Sequence, residues 1–117
     1  MRLLICGDRN WNNRAAIHRE VLTNLDQIEV IIEGEARGAD TLARLVAEEL
    51  GIPVLRFPAQ WEKYGRAAGP VRNKQMLDEG RPTQCFAFHT DIDNSKGTRD
   101  MVKRCRVTGV PVTVFAG

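Results

Sequence analysis

Five strand-length apolar runs punctuate the chain: Leu3 to Cys6, Val30 to Glu33, Ile52 to Phe57, Gln84 to His89 and Val110 to Phe115. Their β-branched content and near-continuous hydrophobicity are the habit of strands buried on both faces, as in a parallel sheet. Between them the apolar positions recur at helical spacing. Ala15-Ala16-Ile17, Val21-Leu22 and Leu25 trace one helix, and Leu42, Leu45-Val46 and Glu49-Leu50 a second that ends at Gly51, where a left-handed closing residue is expected. Met76-Leu77, and Met101-Val102 with Cys105, mark two more. Parallel neighbours need crossover connections, so the alternation predicts a doubly wound α/β sheet. Strand orders 3-2-1-4-5 and 2-1-3-4-5 both satisfy the pattern, and 3-2-1-4-5 is preferred. Either places a ligand crevice at the carboxyl ends of the strands, where the winding reverses.

With 117 residues, of which 43% are hydrophobic and 27% charged, the chain reads as one globular domain over residues 1–117 rather than as a disordered segment. The formal charge of +2 falls well short of the footprint of a dedicated nucleic-acid binder. Three widely spaced cysteines, Cys6, Cys85 and Cys105, include no CxxC pair, which argues against a disulfide framework or a zinc site and for a reducing, cytoplasmic setting. The first apolar run stops at Gly7, too early for a signal-peptide core or a membrane span, so no membrane partner is expected. The longest stretch without periodicity, Pro58 to Pro70, holds Trp61 and Tyr64 and is read as a functional loop.

Chemistry concentrates where strands run into glycine-containing segments: Gly7-Asp8-Arg9, Gly34-Glu35-Ala36-Arg37-Gly38-Ala39-Asp40-Thr41 and Ser95-Lys96-Gly97-Thr98. Glycine permits a tight turn and close approach of a ligand, and the first N–H groups of the next helix offer donors and partial positive charge to an anion. With Arg9, Arg37 and Lys96 beside them, the three segments are read as a phosphate pocket. Neither GxGxxG nor GxxxxGK[ST] occurs, which removes the main support for a standard dinucleotide dehydrogenase or P-loop NTPase. Asp40 is expected to cap the second helix, while Thr98 has equal claims as cap and as phosphate donor. Arg72 and Asn73 follow Gly69-Pro70-Val71 at the expected start of the third helix, Arg72 with a planar fork for phosphate and Asn73 with an amide for a ribose hydroxyl or base edge.

The remaining polar and aromatic residues have simpler readings. Trp11, Trp61 and Tyr64 fall in expected loops, where packing of the loop onto the domain is a commoner use than stacking on a base. His89 closes the fourth strand as a polar lining group, and His18 lies on a helix surface. Cys6 and Cys85 suit small buried hydrophobes. Asp91 and Asp93 lack the spacing of a calcium loop and read as a solvated turn. No metal site is expected, and magnesium would arrive only with a phosphate ligand.

Taken in order, Gly7-Asp8-Arg9, Gly34 to Asp40, Gly69-Pro70-Val71-Arg72-Asn73 with Met76, and Gly97-Thr98 resemble the SLOG superfamily, and within it the small YspA-type, YpsA-related branch. The resemblance covers nearly the whole chain. It implies a Rossmann-like three-layer sandwich with a five-stranded parallel sheet that binds a nucleotide or a nucleotide derivative such as an ADP-ribose-like compound, with no built-in cofactor. The similar lysine-decarboxylase-like phosphoribohydrolases cleave an N-glycosidic bond with an arginine and a glutamate. Here Arg72 matches the arginine, but Met101 stands at the glutamate position and Asp100 one place early. A hydrolase would therefore have to rely on Asp40, Asp100 or Asp8. The DNA-processing protein A group, another similar branch, implies single-stranded nucleic acid as a less favoured partner, and self-association is common in such folds.

Overall fold

The computed structural model describes residues 1–117. Strands β1 (Arg2–Gly7), β2 (Val30–Glu33), β3 (Val54–Arg56), β4 (Gln84–Phe88) and β5 (Val112–Phe115) form one parallel sheet in the order β3-β2-β1-β4-β5. This is the preferred order from the sequence. The chain winds outward from β1 to β3, crosses back, and continues through β4 to β5. The winding therefore reverses between β1 and β4, whose carboxyl ends open side by side.

Alternation along each strand sorts the core into two layers. Leu3, Ile5, Ile31, Phe86 and Phe88 join the cluster beneath helices α1 (Arg14–Thr23) and α2 (Ala39–Leu50). Leu4, Cys6, Ile32, Cys85 and Ala87 join the opposite one, with Met76 and with Met101, Val102 and Cys105 of α5 (Gly97–Val107). Each fully buried Leu or Ile contributes about 1.5–3 kcal/mol of transfer free energy. In α2 the buried Ala39, Ala43, Val46 and Ala47 make one stripe at helical spacing, and the helix stops at Gly51 as the pattern predicts. Asn13 caps α1 by accepting the Ala16 N–H at 3.1 Å. No helix is long and apolar enough to cross a membrane.

Two expectations need correction. The runs Ile52 to Phe57 and Val110 to Phe115 yield only short edge strands, with no fully buried residue in either. Pro53 and Pro111 precede these strands, and their carbonyls accept from Ile31 and Cys85 at 2.9 Å. A missing N–H is harmless at a sheet edge. Pro58 to Pro70 is also not an open loop: it contains α3 (Trp61–Tyr64), a 3-10 turn over Gly65–Ala67 and the start of α4 (Ala68–Gln75). Pro70 is accommodated because it occupies the first turn of α4, whose N–H groups need no intrahelical partner. A wider π turn over Met76–Gly80 then leads towards β4.

At the β4–β5 end of the sheet, Phe88 stacks on Phe115 with centroids 4.9 Å apart and meets Trp11 at 5.7 Å. Phe88 is wholly buried. Phe88→Ala is expected to cost about 3–5 kcal/mol of stability, read as a lower urea midpoint with an unchanged slope; a loss below about 1 kcal/mol would contradict this packing.

Candidate functional site

The carboxyl ends of β1, β2 and β4 are laced together by backbone. Asp8 N–H donates to Phe88 O at 2.9 Å, and Ala39 N–H donates to Asp8 O at 3.1 Å. Gly38 makes the second contact possible. It has φ +75°, and any side chain there would collide with Asp8 O and the Arg9 backbone. A side chain at Gly7 would likewise meet Phe88 O and the Ala39 methyl group.

Two buried carboxylates underlie this edge. Asp40, 6% exposed, lies inside the first turn of α2 and accepts from Gly34 N–H and Ala36 N–H, each at 3.2 Å. It is therefore not the expected helix cap: Gly38 holds that position, and Asp40 instead folds the preceding loop back onto the helix. Thr41 helps by donating its hydroxyl to Ala36 O at 2.8 Å. Glu33, wholly buried at the end of β2, accepts from Glu35 N–H at 2.7 Å through Oε2, while its Oε1 has no hydrogen-bond partner. Glu35 sits at φ +56° and pairs with Arg56. Burial pushes the Glu33 carboxyl up to about 7, assisted by the negative Asp40 and Glu35 and opposed by the Glu35 N–H and by Arg56. Burial also pushes Asp40 up to about 6 against the pull of Arg72 and of the Ala36 and Gly34 N–H groups.

These bonds change the expected character of the Gly34 to Asp40 segment. The N–H groups of Gly34, Glu35, Ala36 and Ala39 all donate to acceptors within the chain, so the segment shapes the edge instead of presenting a row of free donors. The cations at this edge are side chains. Arg9, Arg37 and Lys96 are exposed, and Arg72 is half-buried.

Arg72 reaches the edge from the middle of α4, not from its start. Its Nη1 donates to Gly34 O, and its Nε donates to Asn73 Oδ1 at 3.0 Å. Gly34 leaves room for this contact, since a methyl group there would displace the guanidinium. Asn73, 3% exposed, donates through Nδ2 to Gly97 O at 3.3 Å and to Asp100 Oδ2 at 2.9 Å, and Arg104 Nε donates to the same oxygen at 2.8 Å. The expectation of a free ligand-binding amide at Asn73 is thus corrected: its Nδ2 ties α4 to α5, and its Oδ1 is taken by Arg72 of its own helix. Asp100 is likewise absorbed by Asn73 and Arg104. At the start of α5, Ser95 Oγ accepts the Thr98 N–H at 3.2 Å, so Ser95 takes the capping role expected of the buried Thr98.

His89 stands just beyond β4, where its Nδ1 accepts from Asp91 N–H at 2.8 Å and its Nε2 lies 4.0 Å from Asp8 Oδ2. Asp8 Oδ1 accepts from Asn10 N–H. Trp11 is packed in the core, but Trp61 and Tyr64 are 56% and 39% exposed, so the expected packing fails for both. The three cysteines are buried free thiols, with Cys6 and Cys85 sulfurs 3.9 Å apart.

Sequence reasoning passed over Glu33. Its only signal is one acid ending the otherwise apolar run Val30-Ile31-Ile32. The folded chain holds the Glu33 proton more tightly than the unfolded chain, where the ordinary value is 4.5. The associated stability is complete below that value and is lost as pH rises through about 7. Glu33→Gln, which keeps an acceptor for Glu35 N–H, is expected to gain about 1–2 kcal/mol over wild type at pH 8 relative to pH 5. Urea midpoints at the two pH values provide the check, and an unchanged difference contradicts the buried, ionisable state of Glu33.

Residues 1–64 match the family model described as the YspA, cpYpsA-related SLOG family. The chain is 32% identical to the Gene 61 protein of Mycobacterium phage D29, over 97% of this chain and 95% of that protein. Its fold is similar to that of DNA processing protein A (DprA) from Streptococcus pneumoniae, with a TM-score of 0.75 at 18% identity over 98% of this chain; the match spans 50% of the DprA chain. The family match over more than half of the residues, the phage relative aligned almost end to end, and the parallel sheet with its glycine-shaped carboxyl edge agree: this chain belongs to the YspA, cpYpsA-related SLOG family.

Proposed function

We propose that this domain binds a nucleotide or a nucleotide derivative of the ADP-ribose type, with the ligand's phosphate at the carboxyl edge of the sheet. The observation that carries this reading is the convergence of Gly34, Arg72 and Gly97 through Arg72 Nη1 to Gly34 O and Asn73 Nδ2 to Gly97 O. Two of the five guanidinium N–H groups of Arg72 have partners in the chain, which leaves its Nη2 side for an incoming oxyanion. Arg9, Arg37 and Lys96 add positive charge, and Ser95, Lys96, Gly97 and Thr98 add a helix start. The ordered Gly7-Asp8-Arg9 and Gly34 to Asp40 segments form the floor. On this reading no cofactor is built in, and magnesium enters only with the phosphates.

Geometry favours binding over N-glycosidic cleavage. Asp40 is committed to two backbone N–H groups and Asp100 to Asn73 and Arg104, while Asp8 accepts from Asn10 N–H through Oδ1 and keeps Oδ2 facing His89. Glu33 has a free oxygen but no exposed surface. That leaves Asp8 as the one candidate with an oxygen unclaimed at the edge, and a hydrolase would have to act through it alone, without a second free carboxylate beside it. The fold of DNA processing protein A makes a nucleic-acid strand the alternative occupant, but a net charge of +2 and a few local arginines fit a discrete phosphate better than a long basic groove.

Thermal unfolding with a panel of nucleoside mono- and diphosphates and ADP-ribose tests the reading. A ligand at ten times its Kd adds about 1.4 kcal/mol, which corresponds to a Tm rise of about 5 °C. That rise should vanish in Arg72→Ala and in the exposed double variant Arg9→Ala/Arg37→Ala, the latter keeping the wild-type Tm. A panel without any shift, or variants that respond as wild type does, would overturn it. Steeply salt-dependent retention of single-stranded DNA with no nucleotide response would favour the strand instead.

A further inference from the structure

A cleft of about 250 Å³ lies beside Arg72, outside the segments that form the carboxyl edge. One wall is a stripe of α4 and the turn after it: Ala68, Val71, Arg72, Gln75 and Glu79 follow one another at helical spacing. The other wall is the segment after β3, which brings Gln60 and the Tyr64 ring. Tyr64 and Val71 are 39% and 38% exposed, so two apolar surfaces face solvent here, one face of the Tyr64 ring being met by Lys63 Nζ at 5.0 Å from its centroid. The cleft and the carboxyl edge share one residue, because Arg72 lines the first and donates to Gly34 O in the second.

The lining defines the occupant. An aromatic ring and a valine suit a flat, apolar ring face, two carboxamides suit the mixed donor and acceptor edge of a heterocycle, and the Glu79 carboxylate accepts only from a donor. The volume is below the roughly 300–1,000 Å³ of pockets that enclose a whole ligand. It suits one ring system whose remainder extends along Arg72. We infer that this cleft is the base subsite of the domain and takes a heteroaromatic base carrying an exocyclic amino group, which stacks on Tyr64 while the phosphate lies beyond Arg72. The inference rests on the nucleotide-binding reading above and assigns to Tyr64, Val71 and Glu79 the recognition of the base.

Calorimetric titration with AMP, IMP and ribose 5-phosphate separates the two claims. Wild type should bind AMP more tightly than IMP, and both more tightly than ribose 5-phosphate. Tyr64→Ala, at an exposed position that the core does not use, should weaken AMP about tenfold, in line with the loss of one base-stacking contact, and leave ribose 5-phosphate within twofold. Tyr64→Phe should restore AMP binding, and Glu79→Ala should remove the preference for AMP over IMP. AMP binding that survives Tyr64→Ala unchanged, with ribose 5-phosphate still bound, overturns the base subsite alone. Failure of all three compounds and of ADP-ribose to bind wild type overturns the nucleotide reading and the subsite with it.

Discussion

One buried carboxylate sets the shape of the whole carboxyl edge. Asp40 accepts two N–H groups from the loop that precedes its own helix, and this keeps the Gly34 to Gly38 segment folded tightly over the end of β2. The close approaches that follow depend on that fold: Gly38 against the Asp8–Arg9 backbone, and Gly34 against the Arg72 guanidinium. Arg72 in turn favours the ionised form of Asp40, so the arginine at the edge and the acid beneath it support each other. A hydrogen-bonded, partly neutralised acid is tolerable at this depth, where an isolated one would cost several kcal/mol.

Around the buried Asn73, partly exposed polar groups form a relay between helices. Arg72 holds Asn73, Asn73 holds Gly97 and Asp100, and Arg104 neutralises Asp100. The relay fixes α4 to α5 at the point where both reach the carboxyl edge. Losing these partners would leave the buried Asn73 amide desolvated and unpaired, which favours this one arrangement of the two helices. Glu33 is the exception, with one oxygen unmatched, and its burial raises the carboxyl to about 7.

The strands were legible because a buried parallel sheet leaves long apolar runs; the same runs narrowed their order to two, of which the preferred one is observed. The edge strands were overread, since Ile52 and Val110 continue the apolar pattern beyond the residues that pair. The glycine segments announced the edge of the sheet, but not how their N–H groups are used. That depends on Glu33 and Asp40 turning inward, which spacing does not reveal. Asn73 and Asp100 looked free because their partners lie on another helix, 24 or more residues away in sequence. Helix formation across Pro58 to Pro70 was hidden by two prolines and two glycines, which fit at first-turn and turn positions without breaking the elements around them.

The account turns on the carboxyl edge being the place where a nucleotide phosphate lands. The most direct measurement is a backbone amide NMR titration of the full chain with AMP, following the signals of Arg9, Gly34, Arg37, Lys96, Gly97 and Thr98. The account expects saturable shifts concentrated on these residues, with Gly51 and Thr83 at the opposite edge unmoved. Shifts confined to that opposite edge, or no saturable shift at the carboxyl edge at millimolar AMP, would contradict it.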